Sequence, residues 1–377
     1  MRSNSLTMDT RKYHSNDSSR SSRSERLKSL LQVQLSQTKS AAWSKVAAIL
    51  LILLLFAQAL GASRASSLTF DEGPHLAVGY ATLRTRDLRL QPVHIHPPLA
   101  NALAAAPLLL DPSLPDPRSI PGWEIASLSA ITDTTIWQFP HPARLALAGR
   151  LPILLLAVLS GALVYRWAAD VGGDKAGLLA LGLYALDPNV VAHGALITTD
   201  TAVTTFGLLT FFLLHRHRRR PSRAQLVGVG LALGLALATK VSALLLVPLV
   251  GMVLVIGPQA WQRFKPSLGF QGLRAWLGVV LIAFAVVWAV YGFEVRSLPE
   301  LTRSLPLPAA THLDIYRSLQ DHYRQGHAAF FMGQNSDQGW WAYFPIALLI
   351  KTPLPTLILL GMALITLAYH RRPPAWP

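Results

Sequence analysis

The run AAILLILLLFAQALGA, residues 47–62, decides the fold class, because Gln58 is its one strongly polar side chain. Near-continuous apolar runs recur at residues 151–165, 226–237 and 279–291. A soluble core of such length would alternate apolar and polar positions, whereas a helix that crosses a bilayer needs about 20 mostly apolar residues. The sequence therefore predicts an all-α integral membrane protein.

The composition supports a membrane environment. Of the 377 residues, 51% are hydrophobic and 14% are charged, against about 25% charged in average globular proteins. The net charge of +15 would suggest nucleic acid as the partner of a soluble protein. Here the basic residues gather in short segments between apolar runs, as the positive-inside rule requires. We therefore expect membrane lipids, and no nucleic acid, as partners. The lack of cysteine excludes disulfides and thiolate metal sites.

The chain divides into a tail and a polytopic domain. Residues 1–43 are rich in Ser, Arg and Lys, which is typical of a disordered, basic cytoplasmic tail. A targeting segment is the alternative, although acidic residues within the tail disfavour it. Residues 44–377 are predicted to form a polytopic helical bundle of about eight spans. The expected spans are 44–62, 148–167, 175–194, 200–215, 224–239, 241–257, 275–293 and 353–369.

The loops predict the orientation of the bundle. Five arginines between residues 216 and 223 mark one connection as cytoplasmic. Two long loops, about 63–147 and 294–339, then fall on the non-cytoplasmic side, and the first is expected to contain short helices. Loops of such length in a compact protein are usually functional. The apolar segment 340–350 is too short to span and is predicted to be interfacial or re-entrant, anchored by its aromatic residues.

An acidic pair opens the first outer loop, in the segment FDEGPH at residues 70–75. A carboxylate at the membrane surface can act as a general base or hold a cation. The alternative is structural, since Asp and Glu also cap helices beside a proline turn. Asp71 and Glu72 are therefore candidates for either role.

The segment HIHPPLAN, residues 94–101, places two histidines at positions i and i+2. In an extended segment these side chains face one side, where they could bind a metal ion or a phosphate. Such a short motif is weakly specific. A turn that leads into the next helix equally explains the two prolines.

Charged residues also mark the predicted outer ends of later spans. Asp200 follows His193 at the start of a span, where a carboxylate is costly to bury and often functional; the alternative is a helix N-cap. Four basic residues lie near the same face and could pair with a lipid phosphate or extend to the interface. They are Arg144, Arg150, Lys240 and Lys351.

Several nucleotide-binding and hydrolase motifs are missing from the sequence. It contains no Walker A loop, no GxGxxG that opens a helix, no HExxH and no GxSxG. A mechanism that depends on a cytosolic nucleotide therefore has no visible binding element.

The FDEGPH segment, with Gly79 and Tyr80 after it, resembles the first-loop acidic motif of the protein O-mannosyltransferase superfamily. These proteins are GT-C-fold glycosyltransferases, and they include glycosyltransferase family 39 and the aminoarabinose transferases. Residues 96–99, 192–200, 234–242 and 343–354 are similar to further segments of the superfamily. The resemblance covers about residues 45–370 and rests on the order of these segments relative to the spans. Members usually continue beyond the position of Pro377, which predicts a short subtype or a truncated chain.

The resemblance implies an enzyme that transfers a sugar from a polyprenyl-phosphate donor at the outer face of a bacterial inner or plasma membrane. Asp71 would be the general base on the acceptor, and Glu72 would support it. Asp200 would lie near the acceptor or a divalent cation, although no cofactor is firmly implied. The remaining expected site residues bind the donor phosphate or line the cavity. They are His75, His96, Arg150, His193, Lys240 and Lys351.

The acceptor stays open between protein, lipid and envelope glycan. A single displacement would invert the anomeric centre. A transporter or flippase for a lipid-linked glycan is the alternative from another class, and it would favour charged or broken helices at the bilayer midplane. A non-catalytic membrane scaffold, in which Asp71 only caps a helix, is the third.

Overall fold

The computed structural model describes residues 42–255, 270–298, 305–324, 326 and 329–369. Most of the predicted tail, 1–43, lies outside these residues. The described chain is almost entirely helical apart from two small β-hairpins, which confirms the predicted all-α class.

The helices and strands follow one another in this order. The first part of the chain forms α1 (Ala42–Ala65), α2 (Glu72–Thr85), α3 (Gln91–His94), α4 (Pro98–Ala105) and α5 (Leu128–Thr132). The central part forms α6 (Pro142–Ala185), α7 (Pro188–Gly194), α8 (Thr199–Arg219), α9 (Arg223–Leu237), α10 (Leu246–Val255) and α11 (Phe270–Val290). The last part forms β1 (Val295–Ser297), β2 (Pro306–Pro308), α12 (Ala310–Arg324), β3 (Ala329–Phe331), β4 (Gln334–Ser336), α13 (Tyr343–Lys351) and α14 (Leu354–Tyr369).

Helix α6 is two antiparallel arms joined at a break. Gly173 has φ 79° and ψ 177°, outside the helical range, in a region that favours glycine. The arms then pack on each other, and a hydrogen bond joins them: the Tyr184 hydroxyl donates to the Ala157 carbonyl at 3.2 Å. The two predicted spans 148–167 and 175–194 correspond to these arms, but the second arm ends at Ala185. There Asp187 accepts hydrogen bonds from the backbone of α7, which starts a separate short helix.

Three described helices, α1, α6 and α11, are long and apolar enough to cross a membrane, with the two arms of α6 counted as one helix. The count rises to five if two bent helix pairs each form one span: α7 with α8, bent by 111°, and α13 with α14, bent by 110°. The bend before α14 matches the predicted interfacial or re-entrant segment at 340–350. The number of eight spans stays a prediction.

Small residues let the helices of the bundle approach closely. Gly230 and Gly234, one turn apart on α9, face α11, and a side-chain carbon on either would overlap Ile282 or Val286. This is the small-residue spacing that permits close helix packing in membranes. Helices α8, α9, α10 and α11 share one apolar core.

The segment between α1 and α6, predicted to be the first outer loop, has its own core, built mainly from α2 and α4. Leu76, Ala104 and Ile131 are fully buried there, and Ile153 of α6 joins them. Helix α2 crosses α4 at Gly79, where a methyl group would overlap the Asn101 carbonyl oxygen. Because this segment packs on α6, the residues at the start of α2 are held against that helix.

We predict that Gly79→Ala destabilises the protein and displaces Asn101, since a backbone atom must move to admit the new methyl group. Gly61→Ala is the matched control, because it is also helical and has nothing within 4 Å of the added carbon. Alanine there is expected to be neutral or mildly stabilising. Thermal unfolding in detergent measures both, and equal melting temperatures would contradict the close crossing of α2 and α4.

Candidate active site

A cavity of 420 Å³ lies where the segment between α1 and α6 meets the start of α8 and the end of α9. The structure brings a subset of the predicted site residues to its wall, although they are far apart in sequence. These are Asp71, His75, His96, Asp200 and Lys240. His94 and His322 of α12 also line it. His94 is a candidate of the HIH segment that the resemblance does not add to the site, whereas His322 is not predicted from the sequence.

Asp71 stands at the N-cap position of α2, but its side chain makes no capping hydrogen bond. The side chain is exposed and lines the cavity. The structural alternative for this residue, a helix cap, therefore finds no support in the geometry. The carboxylate is placed to accept a proton from a group in the cavity.

Glu72 has a different environment, since its side chain is fully buried. Its carboxylate accepts from Arg150 Nε at 2.8 Å and Nη2 at 2.7 Å, and from the backbone N–H groups of Ile197 at 3.0 Å and Thr69 at 2.8 Å. Burial alone would raise the pKa of Glu72, but the hydrogen bonds from Arg150 and the two backbone amides lower it. Glu72 is thus an ionised structural anchor beside Asp71, buried in its ion pair with Arg150 and not lining the cavity, which corrects its expected role as a supporting acid of the site.

Arg150 is also fully buried. Besides Glu72, its guanidinium donates to the carbonyl oxygens of Ser63 at 2.7 Å, Ser66 at 2.8 Å and Ser67 at 2.7 Å. Arg150 therefore ties the end of α1, the start of α2 and helix α6 together. With its donors already used, it is not placed to bind a lipid phosphate, which corrects the expected role.

Lys240 and Asp200 form an ion pair at the cavity. Lys240 follows α9, and Asp200 lies in the first turn of α8. The two side chains keep 30% and 47% of their surface exposed, respectively, so the ammonium can meet a second anion from the cavity. The backbone N–H of Leu99 donates to the Ala238 carbonyl at 3.0 Å, which joins the start of α4 to the end of α9.

Three histidine rings form a cluster that also lines the cavity. The ring centroids of His75 and His94 are 4.6 Å apart, those of His75 and His96 are 5.4 Å apart, and those of His94 and His96 are 5.0 Å apart. The two histidines of the HIH segment do meet, but not through an extended strand. His94 ends α3, and Ile95 turns the chain with φ 56° before His96.

Burial governs the protonation of this cluster. It lowers the pKa of His75 below its ordinary value, and it lowers that of His94 further. Burial, followed by the neighbouring His75 and Lys240, lowers the pKa of His96 to about 4. Three neutral rings therefore line the cavity at neutral pH, and Nδ1 of His96 is buried without a hydrogen-bond partner.

Two predicted site residues lie elsewhere. The side chains of His193 and Lys351 are exposed and do not line the cavity. The carbonyl of His193 accepts from the Thr201 hydroxyl at 2.9 Å, and that of Lys351 accepts from the Asn189 amide at 2.7 Å. Among the described residues, no three His, Asp or Glu side chains are arranged to hold a metal ion.

Residues 143–291 match the family model described as dolichyl-phosphate-mannose-protein mannosyltransferase. This segment belongs to the GT-C mannosyltransferase-like superfamily. The match confirms the superfamily predicted from the sequence and supports a membrane glycosyltransferase. It includes Asp200 and Lys240, whereas Asp71 and the three clustered histidines precede it. No curated protein matches the chain.

Arg150→Met should lower the free energy of unfolding by about 3–5 kcal/mol, because it leaves the Glu72 carboxylate buried without its partner. Arg144→Met is the matched control on the same helix, since Arg144 is mostly exposed and meets Asp111 at 3.5 Å. Such a surface pair contributes little. Chemical unfolding in detergent measures the free energy of unfolding of both variants. Equal stability of the two variants would show that the buried ion pair does not stabilise the fold more than the exposed one.

The histidine cluster also predicts how stability varies with pH. An unfolded His96 takes up a proton near pH 6.5, whereas the folded one resists protonation until about pH 4. The free energy of unfolding should therefore fall as the pH falls through this window. His96→Gln should reduce the loss of melting temperature between pH 7 and pH 5. His141→Gln should not, because His141 is exposed and does not line the cavity. An unchanged slope in His96→Gln would contradict the buried, neutral ring.

Proposed function

We propose that the protein transfers a sugar from a polyprenyl-phosphate donor to an acceptor at the non-cytoplasmic face of the membrane. The observation that carries this proposal is the placement of an uncapped carboxylate, Asp71, and a cation, Lys240, on one cavity at the ends of apolar helices. A donor with its lipid in the bilayer would present its phosphate and sugar at this depth. The superfamily match of residues 143–291 supports the same reaction class.

In the proposed reaction, an acceptor hydroxyl oxygen attacks the anomeric carbon of the sugar. Asp71 takes the hydroxyl proton, because its carboxylate faces the cavity and is not used as a cap. The bond between the anomeric carbon and the phosphate oxygen breaks, and its electron pair stays on the lipid phosphate. One displacement of this kind inverts the anomeric centre.

Lys240 is the cation that stabilises the departing phosphate. Asp200 holds the ammonium at the cavity, and the partial exposure of Lys240 leaves room for the phosphate beside it. Positive charge placed where negative charge gathers on the leaving group lowers the barrier. Asp200 therefore acts by positioning Lys240, whereas Arg150, the other cation expected at the phosphate, is buried in its ion pair with Glu72.

The chemistry of the base fixes the acceptor as a hydroxyl but not the molecule that carries it. A carboxylate base serves a hydroxyl on a protein, a lipid head group or an envelope glycan equally well, so all three acceptors remain within the proposal. The expected setting is a bacterial inner or plasma membrane with the cavity facing outward. A reporter fused within residues 63–147 would test that orientation, and a cytoplasmic signal would overturn it.

Asp71→Asn should lower the transfer rate by about 100-fold or more, since it removes the base but keeps the size of the side chain. Asp133→Asn is the matched control, because Asp133 is exposed, lies in the same loop and does not line the cavity. The assay supplies purified protein with radiolabelled polyprenyl-phosphate hexoses and pentoses and measures label in membrane acceptors.

Three outcomes of this assay separate the candidate functions. Loss of transfer in Asp71→Asn, with transfer retained in Asp133→Asn, supports Asp71 as the base. Full transfer by Asp71→Asn would remove Asp71 from the mechanism. Passage of the intact lipid-linked sugar across a vesicle membrane, without release of the sugar, would favour a flippase instead.

A further inference from the structure

One buried amide connects two of the clustered histidines. Asn101 of α4 is 1% exposed. Its Oδ1 lies 2.7 Å from Nδ1 of His75, and its Nδ2 lies 3.3 Å from Nδ1 of His94. Both rings line the cavity, and their Nδ1 edges are taken up by Asn101. The Nε2 edges are therefore the ones that a ligand in the cavity can contact.

The amide forces the two rings into opposite tautomers. A carboxamide accepts at its oxygen and donates at its nitrogen, and a neutral imidazole carries one proton on one of its two nitrogens. His75 must then carry its proton on Nδ1 and His94 on Nε2. Exchanging the amide oxygen and nitrogen, which diffraction at ordinary resolution rarely separates, would exchange the two rings but keep their tautomers opposite.

The surroundings keep this arrangement fixed. Burial lowers the pKa of both rings, so neither is charged at neutral pH. A protonated His94 would also face the donor side of the amide with a second donor. The close crossing of α2 and α4 at Gly79 sets the Asn101 backbone against α2, one turn from His75.

We propose that His75, Asn101 and His94 form a hydroxyl-reading site that selects a neutral, hydroxylated sugar. One ring offers an acceptor and the other a donor. Sugar hydroxyls both donate and accept, so they satisfy both rings. A protonated amino group can donate to the acceptor Nε2 of His75 but cannot accept from the Nε2–H of His94. A phosphate can accept from His94 but cannot donate to His75. The inference rests on the proposed transferase function, since it names the sugar class for that cavity.

In this site Asn101 is a positioning residue, because it acts only through the two rings. Asn101→Asp is the informative variant, since a carboxylate accepts from both Nδ1 atoms and draws both rings into the same tautomer. Both Nε2 atoms then become acceptors, and a negative charge is added nearby. The variant should therefore shift selectivity toward an amino sugar.

The first test measures the tautomers directly in the wild-type chain. Protein labelled with ¹⁵N-histidine is studied in detergent at pH 7.5, and His75→Gln and His94→Gln assign the two rings by loss of their signals. One ring protonated on Nδ1 and the other on Nε2 is the expected result. The same tautomer in both rings overturns the inference, whether or not the protein transfers sugar.

The second test measures selectivity. Polyprenyl-phosphate mannose is compared with analogues in which one hydroxyl at a time is replaced by an amino group. We expect kcat/KM to be about tenfold or more lower for at least one analogue than for the mannose donor. In Asn101→Asp, this difference in kcat/KM between the mannose donor and the analogue should be smaller. Equal kcat/KM for all analogues overturns the hydroxyl-reading site. Absence of transfer with every donor, beside opposite tautomers in the first test, would instead count against the proposed transferase.

Discussion

The buried ion pair between Arg150 and Glu72 is the interaction on which the rest of the site depends. It has no exposed surface, and its hydrogen bonds reach the end of α1, the start of α2 and the backbone before α8. An ion pair removed from water is tolerated only when its remaining donors and acceptors are satisfied, as they are here. Asp71 precedes Glu72 directly and Asp200 follows Ile197 closely, so one buried pair sets the separation of both carboxylates.

The cavity combines two kinds of electrostatic environment. Lys240 and Asp200 are partly exposed and charged. Burial keeps three histidines neutral, so they can only give and take hydrogen bonds. A glycosyl phosphate combines the same two properties, because it has a charged phosphate and a neutral sugar. This correspondence is the physical basis of the proposed donor.

The local sequence predicted the helices better than the contacts that their side chains make with one another. Apolar runs predicted the helices, and the FDEGPH segment drew attention to Asp71, which lies at the cavity wall; its role as a base stays a prediction. Nothing in the sequence distinguished Arg150, which is buried, from Lys351, which is exposed, since both stand near predicted helix ends. That difference arises from packing of α6 against the segment between α1 and α6.

The histidine cluster shows the same limit. An extended segment would place His94 and His96 on one side, but they meet through a left-handed turn at Ile95. Asn101 lies in the same HIHPPLAN segment, and only the crossing of α2 over α4 brings it between His75 and His94. Contacts that depend on a helix crossing leave no signal in residue spacing along one segment.

The proposed mechanism requires one cavity to hold the whole glycosyl phosphate between Asp71 and Lys240. The most direct measurement is a cryo-EM structure of the protein with a non-hydrolysable polyprenyl phosphonate sugar. The phosphonate is predicted to contact Lys240, with the sugar between Asp71 and the histidine cluster. A phosphonate bound away from Lys240, or a sugar outside this cavity, would contradict the claim.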